Sequence, residues 1–292
     1  MIFTVVVPTF NRCESLKKTV ESIRRQGFSD FELIVVNDGS SDGTDDYLSG
    51  FISESTITYI KQPNFGPARA RNAGIHEAKG TYVAFTDDDC VVPPDWLKRL
   101  HNTLSAGGID IVGGAVRNTV KNIFADTGQT MTNHFVRSLS AKDPSTPFLT
   151  SNNVAYRLAA LQRAGGFDER FSRAGGEERA LHLKIRDAGG RSAFLGDCTV
   201  DHAHPFTFSN FVRQQFNYGR GAFLLYRVVG RELTRTPEAI PFGVYLSLFA
   251  QMFKFGVLRG IAMSALYVFA ELAVIAGYLV QASAPREIRN TK

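Results

Sequence analysis

The chain has 292 residues, 44% of them hydrophobic and 21% charged, with 33 Lys and Arg against 28 Asp and Glu. That composition supplies one large folded domain plus an appendage, and neither a repeat nor a low-complexity linker is visible. Three cysteines, Cys13, Cys90 and Cys198, lack metal spacing, which excludes a four-ligand His/Cys zinc set and points to reduced thiols in a cytosolic setting.

The first element is the apolar run Phe3–Pro8, followed by Thr9. It lacks the basic start of a signal peptide and reads as a buried strand. Cys13 to Gln26 has helical spacing, with Leu16, Val20 and Ile23 apolar and Gly27 as the expected stop. Phe31–Val36 is a second strand ending at Asn37-Asp38-Gly39-Ser40, where the Asp38 carboxylate suits a base N–H or a ribose hydroxyl. Residues 38–49 approach a calcium loop, but Ser49 stands where an EF-hand needs a bidentate Glu, so that reading is rejected. A third strand is expected at Ile57–Ile60 and a second helix at Pro67–Ala78. The N-terminus of that helix suits anions, and Arg69 or Arg71 could pair with phosphate. Strand and helix alternate as in a parallel sheet with right-handed crossovers.

Next comes the run Tyr82–Thr86, which ends at Asp87-Asp88-Asp89. Three adjacent carboxylates at a buried strand end repel one another, and a divalent cation would remove the repulsion. Hard oxygen ligands suit Mg²⁺ or Mn²⁺ with a diphosphate completing the shell. A metal-diphosphate site at the carboxyl end of a parallel strand is expected there, against the alternative of a solvated acidic loop.

The blocks VVVPTFNR (5–12), VVNDGSSDGT (35–44), NFGPARARNAG (64–74), FTDDDCVVPPDWL (85–97) and GGFDERF…GGEERALHLKIRDAG (165–189) together resemble a family-2 inverting glycosyltransferase of the GT-A fold. The resemblance covers residues 1–205 and implies an α/β fold with a mixed, mostly parallel sheet flanked by helices. It also implies roles: Thr9 and Asp38 contact the nucleoside, Asp87 and Asp89 hold the metal and the ribose-diphosphate beside Asp88, and Arg71 meets the phosphates. The family's base is the second acid of a Glu-Asp pair opening a helix. Here the pair is Glu177-Glu178, one methylene longer at the matching position, and both acids stay open as the base. By the same resemblance, Asn152 and Asn153 line the acceptor pocket. His202 and His204 share one face of a strand by alternation, and His202 is the preferred further metal ligand. Arg220, in the block Gln214–Gly221, stands where relatives place a substrate-phosphate arginine.

The appendage, 206–292, begins with a basic, aromatic helix on which Arg213, Arg220, Arg227, Arg231 and Arg235 share a face. Two apolar stretches follow, 239–257 and 261–280, the second with Glu271 as its single charge. A single crossing would leave Arg286, Arg289 and Lys292 on the wrong side for the positive-inside tendency, so two helices lying in the interface or forming a shallow hairpin are expected. The alternative is a helical pair buried between copies of the chain. If the helices attach the chain to a membrane, cutting near residue 235 should free a soluble enzyme that still serves a water-soluble acceptor.

The reading is a metal-dependent inverting glycosyltransferase at the cytoplasmic membrane face, acting in surface polysaccharide or glycolipid assembly. Its expected cofactor is Mn²⁺ or Mg²⁺. Its expected partners are a nucleotide-diphosphate sugar, UDP-linked by preference, and a sugar or lipid-linked acceptor, with no nucleic acid. Alternatives are a soluble transferase for a protein or small metabolite, and a non-catalytic nucleotide-sugar scaffold.

Overall fold

The computed structural model describes residues 1–51, 56–142, 147–233 and 240–284. Its eight-stranded sheet has the order β3-β2-β1-β4-β7-β6-β8-β5. The strands are β1 (Phe3–Thr9), β2 (Phe31–Asn37), β3 (Ile57–Lys61), β4 (Tyr82–Phe85), β5 (Cys90–Val91), β6 (Ile111–Asn118), β7 (Val154–Arg157) and β8 (Ser192–His202). β3, β2, β1 and β4 run parallel. β7 runs antiparallel to β4 and β6, β8 parallel to β6, and β5 antiparallel to β8. The expected mixed, mostly parallel sheet is what the chain forms.

Alternation along β1 builds the core. Phe3, Val5 and Val7 join one buried cluster with Leu16, Val20 and Ile23 of helix α1 (Cys13–Arg24). Val6 joins the opposite cluster with Ala68 and Ala70 of α3 (Pro67–Glu77). Both faces are covered, which is why these strands read as unbroken apolar runs. α1 stops at Arg24, before Gly27; Gly27 is not a left-handed cap, and its N–H donates to the Pro94 carbonyl.

β6 and β8 lose register between Gly114 and Ala115, where β8 carries an irregularity. Asn153 stitches it: its Nδ2 donates to the carbonyls of Ala115 and Cys198 at 2.8 Å each, and its Oδ1 accepts from Trp96 Nε1 at 2.9 Å.

The remaining helices are α2 (Thr44–Ser49), α4 (Trp96–Ser105), α5 (Ile123–Lys142), α6 (Leu158–Ala164), α7 (Glu177–Asp187) and α8 (Phe208–Leu224). A π-turn, Leu225–Val229, leads to the single turn α9 (Gly230–Glu232). α10 (Phe242–Met252) and the 27-residue α11 (Val257–Ser283) follow, separated by a 3-10 turn and Gly256 at φ +96. A third core cluster joins them to the rest: Ala125 and Met131 of α5, Phe211 of α8, Leu248 and Met252 of α10, and Met263, Tyr267 and Ala270 of α11. Arg220 and Arg227 both face α11, bonding Gln281 and Tyr278, while Arg235, Arg286, Arg289 and Lys292 lie outside the described residues.

Candidate functional site

The topology reverses direction between β1 and β4, and the carboxyl ends of β1, β2 and β4 open together at that point. Such a switch point is where open α/β sheets leave a crevice. A cleft of about 470 Å³ lies there, lined by Thr9, Asp38, Asp87, Asp88 and Asp89 on one side. Thr9 Oγ1 donates to Asp88 Oδ2 at 2.8 Å, so the two residues form one wall. Arg12, at the start of α1, donates through one nitrogen to Asp88 Oδ1 at 3.1 Å and Asp89 Oδ2 at 2.7 Å. The sequence reading passed over Arg12. Its signal is the charge sum of three adjacent acids, two of them buried, that need a cation close by.

The short β5–β8 pairing sets Cys90 opposite His202, and the Ala203 N–H donates to the Asp89 carbonyl at 2.8 Å. That hairpin-like contact delivers both histidines to Asp89. His202 Nε2 stands 3.2 Å from Asp89 Oδ1, and His204 Nδ1 stands 2.6 Å from Asp89 Oδ2. Burial alone would push the Asp89 carboxyl up. Hydrogen bonds from His202 and His204, with the Arg12 charge, outweigh it and hold Asp89 well below the usual carboxylate range. Asp88 goes the other way, raised to about 6 by burial against the partial relief of Arg12.

Asp89, His202 and His204 each bring one ligand atom, all within 4.8 Å of one another. Two imidazoles with one carboxylate are a donor set for a first-row transition ion, so the residues fit Mn²⁺ better than Mg²⁺. Asp87, expected as a second ligand, is not in this group. Its carboxylate accepts from Arg71 Nη2 at 3.0 Å, although it lines the same cleft.

Arg71 is the hub of the opposite wall. Buried on α3, it donates to Asp87, to Ser151 Oγ at 2.9 Å and to Glu177 Oε1 at 2.9 Å. Glu177 also accepts from the Gly175 N–H at 2.7 Å, so the first acid of the pair is fully engaged. Glu178 lines the cleft, and its carboxyl is raised to about 8, by burial first and by the neighbouring Glu177 charge second, with Arg71 opposing. The Glu178 charge is also felt by Tyr156 and Tyr218. Asp38 braces the neighbouring β3–α3 loop, accepting from Gln62 Nε2 and from the N–H groups of Phe65 and Gly66. It still lines the cleft beside them.

Two expected residues are not brought to the cleft. Asn153 has no exposed surface and uses its amide on the β6–β8 irregularity and Trp96, so it cannot offer hydrogen bonds to an acceptor; Asn152 does line the cleft. Arg220 turns away toward α11, where its Nε donates to Gln281 Oε1 at 2.9 Å. From the same block, Gln214, Asn217 and Tyr218 face the cleft instead, as i, i+3, i+4 spacing on a helix requires. Gln129 and Thr132 of α5 complete that outer wall. Neither position carried a motif, so only the packing of α5 against α8 reveals them.

Residues 4–165 match the family model described as "Glycosyl transferase family 2". The chain is 30% identical over 228 residues to glycosyltransferase AglE of Haloferax volcanii, covering 75% of this chain and 72% of AglE. It is 34% identical over 116 residues to the GalNAc(5)-diNAcBac-PP-undecaprenol beta-1,3-glucosyltransferase of Campylobacter jejuni, covering 39% of this chain and 38% of that one. In fold it is similar to the mannosyltransferase PcManGT of Pyrobaculum calidifontis, solved with GDP-Man and Mn²⁺. The TM-score there is 0.65 at 18% identity, over 96% of this chain and 87% of that one.

Proposed function

The chain belongs to glycosyltransferase family 2, and from that premise we propose that it is a metal-dependent inverting enzyme using a nucleoside-diphosphate sugar. The observation that carries the reading is one cleft lined both by a metal-type donor set and by a basic carboxyl, Glu178. The diphosphate end of the donor lies toward Asp89, Arg12 and Arg71, and the nucleoside toward Thr9 and Asp38. Asp89, His202 and His204 would hold a divalent cation, which would supply positive charge to the leaving diphosphate. Glu178 takes the acceptor hydroxyl proton as that oxygen bonds the anomeric carbon, and the carbon–diphosphate bond breaks on the opposite face. Arg71 holds Glu177 and Asp87, so it fixes both walls at once.

The acceptor side is bounded by Asn152, Gln214, Asn217 and Tyr218, neutral groups that suit sugar hydroxyls. The donor nucleotide is expected to be uridine, with guanosine beside it because PcManGT was solved with GDP-Man. A screen of UDP- and GDP-sugars with Mn²⁺, Mg²⁺ or EDTA tests the reading. One nucleotide-sugar should raise the melting temperature only with metal, because a ligand of the folded state alone adds stability. If no nucleotide-sugar is bound or turned over with either ion, the reading is overturned.

We place the enzyme at the cytoplasmic face of a membrane, with a sugar or lipid-linked acceptor, in surface polysaccharide or glycolipid assembly. Support comes from α11, which by length and composition could cross a membrane. Leu258, Ile261, Leu272, Ile275 and Leu279 are exposed along it, as is Phe242 at the start of α10. Its other face, through Gly260, Met263, Tyr267 and Gly277, is buried in the protein, which favours lying in the interface over crossing it. The Campylobacter relative is named for a lipid-linked substrate. Flotation of the full chain with anionic vesicles checks this placement; a monodisperse chain that ignores vesicles without detergent would remove it.

A further inference from the structure

α8 is gripped from two opposite sides by backbone contacts that only glycine permits. On one side a Cβ at Gly219 would stand 1.9 Å from the Val274 carbonyl oxygen, and a Cβ at Gly277 would stand 1.9 Å from the Phe216 carbonyl oxygen. On the other side, two residues along α8, a Cβ at Gly221 would stand 1.6 Å from the Gly175 carbonyl oxygen. Backbone pressed on backbone has no rotamer by which to give way. The slide of α11 along α8 is pinned further by Arg220 Nε to Gln281 Oε1 at 2.9 Å and Arg227 Nε to Tyr278 at 3.1 Å.

Gly175 is part of the reacting end of the molecule. Its N–H donates to Glu177 Oε2, and it lies two residues before the start of α7, which opens with Glu177 and Glu178. Its other face carries the Tyr218 ring, 2.9 Å from where a Cβ would be. A displacement of α8 therefore moves the turn that carries both acids and, with it, Asn217 and Tyr218 on the cleft wall.

We propose that α11, the most membrane-like segment of the chain, is a positioning element of the active site. Gly277 and Gly219 set α8, and α8 through Gly221 sets the Gly175–Glu178 turn. The inference rests on Glu178 being the base. It reverses the expectation from sequence that the apolar tail is a detachable anchor: removing α11 takes away the support of the acceptor wall.

The test uses the full chain with a water-soluble acceptor, well below each variant's melting temperature. Gly277→Ala should lower kcat by about tenfold to a hundredfold, up to the loss that a misplacement of about 1 Å causes, while the donor KM stays within about twofold because Thr9 ends β1 and Asp38 follows β2, neither of them on α8, α11 or the Gly175–Glu178 turn. The acid limb of its pH–rate profile should also move, a change that mere loss of stability does not produce. Gln281→Leu loosens the same contact without overfilling it and should shift kcat and the acid limb in the same sense if Gly277→Ala fails to fold. Parent-like kcat and an unmoved acid limb in the folded variants overturn the proposal. Glu178→Gln runs alongside: parent-like activity there removes the base reading, and this inference with it, whereas an inactive Glu178→Gln beside a normal Gly277→Ala sinks the strut alone.

Discussion

Asp89→Asn should lower transfer by about a thousandfold and abolish Mn²⁺ binding, the upper end of what one preorganised electrostatic contact contributes. The asparagine keeps the shape and leaves the Asp89 main-chain contact to Ala203 in place. What disappears is the single carboxylate shared by His202, His204 and Arg12. Without it the two imidazoles lose the carboxylate they share, and Arg12 keeps the Asp88 ion pair. Calorimetry with Mn²⁺ alone separates this role from donor binding. Asp87→Asn should weaken Mn²⁺ much less, because Asp87 is engaged by Arg71 and is outside the cluster of Asp89, His202 and His204. Transfer by Asp89→Asn within about fivefold of the parent would sink the assignment, as would Mn²⁺ affinity equal to the parent's.

Glu178→Gln should lower kcat by about a hundredfold or more, the range for lost general-base catalysis, with donor affinity nearly unchanged. The raised carboxyl gives a sign to the pH dependence. A base must be ionised, so kcat/KM should fall as pH drops below about 8, the value to which burial and Glu177 push Glu178. Stability moves the other way. The unfolded chain releases the Glu178 proton near the ordinary carboxylate range of about 4.3, while the folded chain keeps it to about 8. Between those values the unfolded state binds fewer protons, so this group costs stability as pH rises. Glu178→Gln cannot ionise and should be more stable than the parent at pH 9, by a few kcal/mol at most on the order set by one shifted carboxyl. At pH 5 the difference should shrink. Glu177→Gln is the contrasting variant: it leaves the buried Arg71 with Asp87 alone among the carboxylates and should lose stability at neutral pH, since one partner of a buried ion pair is removed. Full activity in Glu178→Gln with a dead, well-folded Glu177→Gln would move the base to Glu177.

β1, β2 and β4 were legible because both of their faces are buried, whereas β3 is half-buried and β5 and β6 carried no such signal. Phe3–Thr9 and Phe31–Asn37 are unbroken apolar runs, and their ends fall where the chain turns polar. The acid run at 87–89 announced itself through charge repulsion that a fold must relieve. Gly165, Gly166, Gly175 and Gly176 all have positive φ, the backbone freedom that glycine supplies to the turns before α7.

The sequence by itself determined the family, the sheet and the short list of cleft residues, since these depend on local periodicity and on residue chemistry at strand ends. Only the tertiary structure decided how the list divides. It set His204 with His202 on Asp89, gave Asp87 to Arg71, and separated an engaged Glu177 from a cleft-facing Glu178. It also took Asn153 and Arg220 out of the cleft. These outcomes rest on pairings between residues tens of positions apart, such as the β5–β8 contact and the α8–α11 seam. A polar side chain's partner is whatever the fold brings within about 3 Å, and no local pattern encodes that distance.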